Sequence, residues 1–287
     1  MSNIKTMLPK VEVVKLLSKK EIMDMIEKAG RVCYKSEDLI KEDSAEKFIK
    51  NIIKKGHESV IEHISISAII ITDRATSHQI VRHRIASYSQ ESQRYCNYSK
   101  DKFNNEITFI EPVFLDEDSA IKSAWLNAMN NAAKSYFELI ALGAKPEQAR
   151  TVLPNSTKTE LVMTMNLREW RHFLKLRTSK GADPQIREIA EMLLVQFNDY
   201  LPVIFNDIYA NLYNPKATTK ETTKETSLNV IVESLIEGAN SFIMKCPSCD
   251  KRTISNQQAY IHDNIKREWY CRNCGQKLNN HNLLKKV

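Results

Sequence analysis

Glycine is scarce in this 287-residue chain: six in all, Gly30, Gly56, Gly143, Gly181, Gly238 and Gly275. They stand too far apart to form a G-x-G-x-x-G turn or a Walker A loop. Any dinucleotide bound here is therefore not held by the Rossmann route, in which amides at a glycine turn cradle the pyrophosphate. Long apolar runs are also missing. The longest, Ile64 to Ile71, is broken by serines and falls well short of the roughly 20 residues a membrane helix needs, so no membrane partner is expected. The start shows no basic segment followed by an apolar one, which argues against secretion. Two of the six cysteines, Cys33 and Cys96, are isolated, and the other four form two C-x-x-C pairs. That usage excludes a disulfide framework and predicts a reducing compartment, the cytoplasm.

What remains is an ordinary globular composition, 42% hydrophobic and 27% charged, with a formal net charge of +7. The length suits one substantial domain and a small appendage. Periodicity predicts a strand over Val11–Leu17 and a helix over Lys20–Ala29 ending at Gly30. A second helix runs from a Ser44 cap to Lys55 and stops at Gly56. Glu62–Thr72 reads as a buried strand, and Asp73 as the N-cap of a helix carrying Gln79, Arg82 and His83. An irregular serine-rich loop follows. Asp118–Leu142 is a long helix, and Pro146 opens a short one containing Arg150. A strand over Lys158–Asn166 leads into a helix over Leu167–Arg177. Asp183-Pro184 caps the last of these, Gln185–Tyr200. Strands and helices without regular βαβ spacing predict an α+β fold. Residues 214–226 are repetitive and poor in apolar side chains, hence a linker. After it Val230, Ile231, Leu235 and Ile236 could share one short helix face.

Beyond the linker, Cys246-x-x-Cys249 and Cys271-x-x-Cys274 are separated by 21 residues. Four thiolates on two tight turns suit one tetrahedral Zn²⁺, the pattern of a zinc ribbon, and the metal would supply much of the folding energy of so small a unit. A redox dithiol is the rival reading. Lys245 to Val287 holds nine Lys/Arg and three Asp/Glu, a balance of +6, with Tyr260, Trp269 and Tyr270 among them. Such a surface could meet nucleic acid by phosphate contact and stacking, or simply pack on a neighbouring subunit.

The densest chemistry lies in Arg82-His83-Arg84-Ile85-Ala86-Ser87-Tyr88-Ser89-Gln90-Glu91-Ser92-Gln93-Arg94-Tyr95. Arginine forks bind phosphate bidentately, while serine, glutamine and glutamate read the polar edges of a planar ring. Together they suggest a nucleotide site; a solvated basic helix end is the bland alternative. Upstream stands His57-Glu58-Ser59-Val60-Ile61-Glu62-His63. A zinc-protease reading of it fails on spacing: Ile61 stands four residues after His57, and Ser59 four before His63.

Other blocks follow in order: Ser77-His78-Gln79, Ala149-Arg150-Thr151-Val152-Leu153-Pro154, Asn166-Leu167-Arg168-Glu169-Trp170, and His172-Phe173-Leu174-Lys175-Leu176-Arg177. With the arginine segment they resemble the flavin-dependent thymidylate synthases, over roughly residues 10–212. The resemblance implies a mixed helix and antiparallel-sheet catalytic domain over 1–212, a linker over 213–243 and the ribbon over 244–287. It also implies a homotetramer that builds each site across subunits. The implied reaction is reductive methylation of dUMP to dTMP, with methylenetetrahydrofolate giving the carbon, reduced FAD the hydride, and NADPH re-reducing the flavin.

Carried over by position, Gln79, Arg82, Ser92, Arg94, Arg150 and Arg177 hold dUMP. His57, Ser59, Glu62, Arg82, His83, Arg84, Gln90, Asn166, Arg168 and His172 hold FAD. Arg177, Ser92 and His83 form the catalytic group, with Arg177 set to stabilise negative charge on the activated ring. Ser92 reads as a binding group, because the motif shows no general base beside it. The chain departs from the family pattern at Ser89-Gln90, where Asn-Glu is usual, and at Gly181-Ala182-Asp183-Pro184, where His-Ala-Gln-Trp is more familiar. The alternative function is a nucleic-acid-binding zinc-ribbon protein on an inactive synthase-like scaffold.

Overall fold

The computed structural model describes residues 4–100, 103–115 and 119–213, together with five short strands beyond them. The chain divides into two compact units, Met1–Ile204 and Phe205–Val287. In the first, strands β1 (Ile4–Met7) and β2 (Lys10–Val13) precede helices α1 (Lys19–Val32) and α2 (Ser44–Lys54). Then come β3 (Ser65–Asp73), α3 (Arg74–Ile80), β4 (Ser87–Gln90), β5 (Ile107–Ile110), α4 (Ala120–Ala141) and α5 (Pro146–Ala149). The series closes with β6 (Lys158–Asn166), α6 (Leu167–Arg177), α7 (Pro184–Tyr200) and α8 (Pro202–Tyr213), the last containing the division between units.

The central sheet has the order β2-β3-β6-β4 and is antiparallel throughout. β1 pairs β5 in a separate parallel ladder. The α+β expectation therefore holds. Period-2 alternation makes the central sheet one-sided. Ile66, Ala68 and Ile70 of β3 stand opposite Met165, Met163 and Leu161 of β6, all buried. α6 and α7 bring Trp170, Phe173, Leu174, Ile189, Leu193 and Phe197 into the core, every one fully buried. The Trp170 indole donates to the Ile66 carbonyl at 2.9 Å, fastening α6 to the middle of the sheet. A second cluster, with Tyr98, Ile107, Phe109, Met129, Ala133 and Tyr136, packs α4 against β5.

Helix starts follow their caps. Ser18 and Glu21 form a capping box on α1, while Asp73, Asn166 and Asp183 cap α3, α6 and α7. Several expectations need correction. The first strand ends at Val13 rather than Leu17, because its partner β3 begins at Ser65 and the ladder runs out with Val14 bonded to Ser67. Gly30 does not end α1. It lies inside the helix, buried, where an added Cβ would come within 2.4 Å of the Phe48 ring on α2. Gly56 and Gly143, at φ 73° and 93°, do occupy the left-handed positions that glycine favours. The residues after Arg84 are not wholly irregular, since Ser87–Gln90 forms edge strand β4 on β6. Arg150 sits just past α5 and opens a 3-10 turn.

In the second unit, β7 (Phe242–Lys245) lies between β8 (Arg252–Ser255) and β11 (Leu283–Lys286). β9 (Trp269–Tyr270) pairs β10 (Lys277–Leu278), and all of these pairings are antiparallel. Cys246, Cys249, Cys271 and Cys274, the 214–226 linker and the helix face at Val230–Ile236 lie outside the described residues. Among the described residues no helix is long and apolar enough to cross a membrane.

Candidate active site

Two sequence blocks far apart in the chain meet where α3 ends. Asp73 caps α3 through the Thr76 amide at 2.8 Å and its hydroxyl at 2.7 Å, both buried. That anchor fixes where Gln79, Arg82 and His83 emerge. The chain leaves the helix through two turn bonds, Arg82 to Gln79 and His83 to Ile80, and the Tyr88 hydroxyl of β4 donates to the His83 carbonyl at 2.7 Å. Burial, and then the Glu169 carboxylate, push the Tyr88 phenol up to about 12, so it remains a donor at any working pH.

From the end of α6, the Arg177 Nε donates to His83 Nε2 at 3.0 Å and its Nη2 to the Gln79 carbonyl at 3.3 Å. An arginine can only donate, so His83 Nε2 must be unprotonated and a neutral ring carries its proton on Nδ1. The pKa agrees. Burial first, then the charge of Arg177 and the neighbouring His172, push His83 down to about 4. The ring stacks edge-on to Phe173 with centroids 4.8 Å apart. Its Nδ1 lies 3.6 Å from a Glu169 carboxylate oxygen, which is not an ion pair because the imidazole is uncharged. His83, Glu169 and His172 offer ligand atoms within 4.8 Å of one another. As arranged they are poor metal ligands, since Nδ1 holds the proton and Nε2 is engaged by Arg177.

This histidine makes stability pH-dependent. Between about 4 and 6.5 the unfolded chain takes up a proton that the folded chain refuses, so stability is expected to fall as pH drops through that window. Urea midpoints at pH 7 and pH 5 measure the slope. The variant His83→Gln is expected to flatten it.

Beside this group opens a cleft of about 480 Å³, lined by Glu58, Glu62, Ile85, Asn166, Arg168, Glu169, His172 and Lys175. Four of the residues expected to hold flavin (Glu62, Asn166, Arg168 and His172) thus share one wall. Arg168 and Glu62 are paired across it at 2.5 Å, and Asn166 also caps α6 through the Glu169 amide at 2.9 Å. His57 and Ser59 line a second cleft of about 510 Å³, with Gly30, Cys33, Tyr34, Phe48 and Lys55. Gly30 thus serves the walls of this cleft, because the close approach of Phe48 shapes one of them.

Ser92, Arg94 and Arg150 form a third group. The Ser92 hydroxyl accepts from the Arg94 amide at 3.3 Å, and Arg94 lies 3.5 Å from Glu147 on α5, three residues before Arg150. Arg82, Arg84 and Arg150 have no ion pair with a described residue. Gln90 is placed differently from the cleft-lining residues. Its amide donates to Ser77 at 2.9 Å and to Thr159 at 3.1 Å, inside the junction of α3 with the sheet. Glu91 next to it is held by Lys158 at 2.8 Å and Tyr98 at 3.2 Å. The residue that sequence reading passed over is Glu169. It stands four and eight positions before Phe173 and Arg177, so all three share one stripe of α6, and helical spacing alone was the available signal.

Residues 15–203 match the family described as thymidylate synthase complementing protein. The chain belongs to that family, the flavin-dependent thymidylate synthases. It is 38% identical over 179 residues to a flavin-dependent thymidylate synthase of Pyrococcus furiosus, a match covering 61% of this chain and 72% of the relative. A synthase of the same name from Mycobacterium avium is 37% identical over 201 residues, covering 64% and 78%. Among solved structures, the chain is similar to a UMP/dUMP methylase, PolB from Streptomyces cacaoi, bound with 5-Br dUMP. There the identity is 27%, the coverage 72% of this chain and 97% of that one, and the TM-score 0.59. The sites described above all fall within the matched residues. As a member of the flavin-dependent thymidylate synthase family, the chain is an enzyme.

Proposed function

We propose that the chain converts dUMP to dTMP, with methylenetetrahydrofolate as carbon donor, reduced FAD as hydride donor and NADPH as the source of reducing power. The observation that carries this reading is the His83–Arg177 contact, which joins the arginine segment to the end of α6 beside the 480 Å³ cleft. The donor set fits a flavin dinucleotide. The two clefts offer amide, hydroxyl, imidazole and guanidinium groups, and at about 510 and 480 Å³ each has the size of a small-ligand pocket rather than of a metal site. His57, Ser59, Glu62, Asn166, Arg168 and His172 would hold it, with Arg82, His83 and Arg84 on the arginine side. Gln90 contributes from behind by holding β4. A bound flavin supplies the hydride.

Everything else falls to the chain's own side chains. Gln79 and Arg82 orient the pyrimidine nucleotide, Ser92 hydrogen-bonds its phosphate end, and Arg94 and Arg150 neutralise the phosphate charge. Arg177, its guanidinium held by His83 and the Gln79 carbonyl, presents a fixed charge where the ring becomes negative. Arg82, Arg84 and Arg150, unpaired with any carboxylate of the described residues, suit a site completed by neighbouring chains, hence a homotetramer. The four tail cysteines hold a structural zinc, in a protein that works in the cytoplasm.

Purified full-length protein is expected to show flavin absorbance, to bleach with dithionite, and then to form dTMP anaerobically from dUMP and methylenetetrahydrofolate. Metal analysis is expected to give one zinc per chain. A colourless protein that makes no dTMP even with added FAD would overturn the reading and favour a nucleic-acid-binding role for the basic tail.

A further inference from the structure

The same stripe of α6 addresses both nitrogens of the His83 ring. Glu169 stands at one end facing Nδ1 at 3.6 Å, Phe173 stacks beneath at 4.8 Å, and Arg177 grips Nε2 at 3.0 Å. We propose that Glu169 is a positioning residue: by giving the Nδ1 proton its carboxylate neighbour, it keeps Nε2 open as the acceptor that holds the Arg177 guanidinium in place. The inference rests on the reaction proposed above only for its kinetic consequence. Its structural half needs no substrate.

The argument runs on burial and donor counting. His83 is 6% exposed, so neither ring nitrogen can turn to bulk water for a partner. A neutral imidazole has one proton to place. With Glu169 present, the Nδ1–H tautomer turns its proton towards a carboxylate 3.6 Å away and its lone pair towards the guanidinium. Without it, Nδ1–H faces no anion, and the competing Nε2–H tautomer sets two donors against each other and releases Arg177. The other groups around the ring do not take over. Tyr88 donates to the His83 carbonyl, not to its ring, and His172, with its centroid 6.0 Å away, is among the groups that disfavour protonation. Glu169 itself is fixed at the base, because its amide is capped by Asn166 at 2.9 Å, and its side chain is only 13% exposed. A carboxylate, an imidazole and a guanidinium in series thus carry orientation from the first turn of α6 to its last.

The test uses full-length protein labelled with ¹⁵N-histidine. The ring nitrogens of His83 are assigned by loss of their signals in His83→Asn. Wild type is expected to show a protonated Nδ1 and an unprotonated Nε2 at neutral pH. Glu169→Gln, which keeps an acceptor oxygen, is expected to preserve that pattern and most of the turnover. Glu169→Ala is expected to give mixed tautomers and a fall in kcat of about ten-fold, larger than any change in the KM for dUMP. Glu169→Ser is a second truncation suited to a helix's first turn, should the alanine variant be unstable. Truncation variants that keep the wild-type tautomer, or a wild type with the proton on Nε2, would overturn the proposal. If wild type makes no dTMP, the reaction assignment fails, and the tautomer shift still decides the role of Glu169.

Discussion

Replacing Arg177 by alanine is expected to lower kcat for dTMP formation by about two to three orders of magnitude, the usual cost of removing a preorganised donor aimed at developing charge. Two features make Arg177 preorganised rather than merely charged. Its Nε and Nη2 are both committed, to His83 Nε2 and to the Gln79 carbonyl, so the planar fork has a single orientation. Its acceptor His83 stays neutral down to about pH 4, so no second positive charge competes with it at working pH. Arg177→Lys is expected to recover little, because an ammonium cannot span both acceptors as the planar guanidinium does. Anaerobic single-turnover assays with dUMP, beside a urea midpoint close to wild type, check this. A variant that keeps kcat within three-fold would remove Arg177 from the chemistry.

Trp170→Ala is the largest expected loss of stability, about 3–5 kcal/mol for emptying a fully buried indole. The indole packs on Phe197 at 4.7 Å and Phe173 at 5.8 Å, and its N–H is the donor to Ile66. Trp170→Phe separates the two contributions: it keeps most of the volume and forfeits the hydrogen bond, for a cost of about 1 kcal/mol. Denaturant titration of both variants measures them. Because Phe173 also carries the His83 ring, the alanine variant is expected to lose flavin along with stability.

The pattern of what could be read in the sequence follows the range of the forces involved. Asp73 and Asp183 announced their helix starts, because a cap acts within one turn, whereas Ser44, expected as a cap, is the first residue of α2 and follows the N-cap position at Asp43. β3 and β6 were legible because their alternation is strong over nine residues each. β1 and β5 were not, since Ile4 and Ile107 are four-residue ladder partners a hundred positions apart and neither has a period of its own. β4 failed for a related reason: Ser87–Gln90 is polar, and only the register of β6 makes it a strand. In the site, the family resemblance grouped the arginine segment and the α6 run as one unit, and the fold brings His83 and Arg177 together. What spacing could not give was direction. Gln90 turns its amide into the α3–sheet junction, and Glu169, a charge on an ordinary-looking helix, turns towards a buried imidazole.

Asn166 ends β6 and caps α6, lines the 480 Å³ cleft, and closes the first turn of the helix that carries Glu169, Phe173 and Arg177. A saturation scan at this one position would therefore be scored twice, once by the helix and once by the ligand. Only side chains that cap well, chiefly Asp, Ser and Thr, pass the first screen, so the alphabet open to selection here is nearly closed before binding is consulted. Natural drift towards another cofactor specificity would have to begin elsewhere on that wall, at Arg168 or His172, whose side chains are exposed and carry no such structural duty.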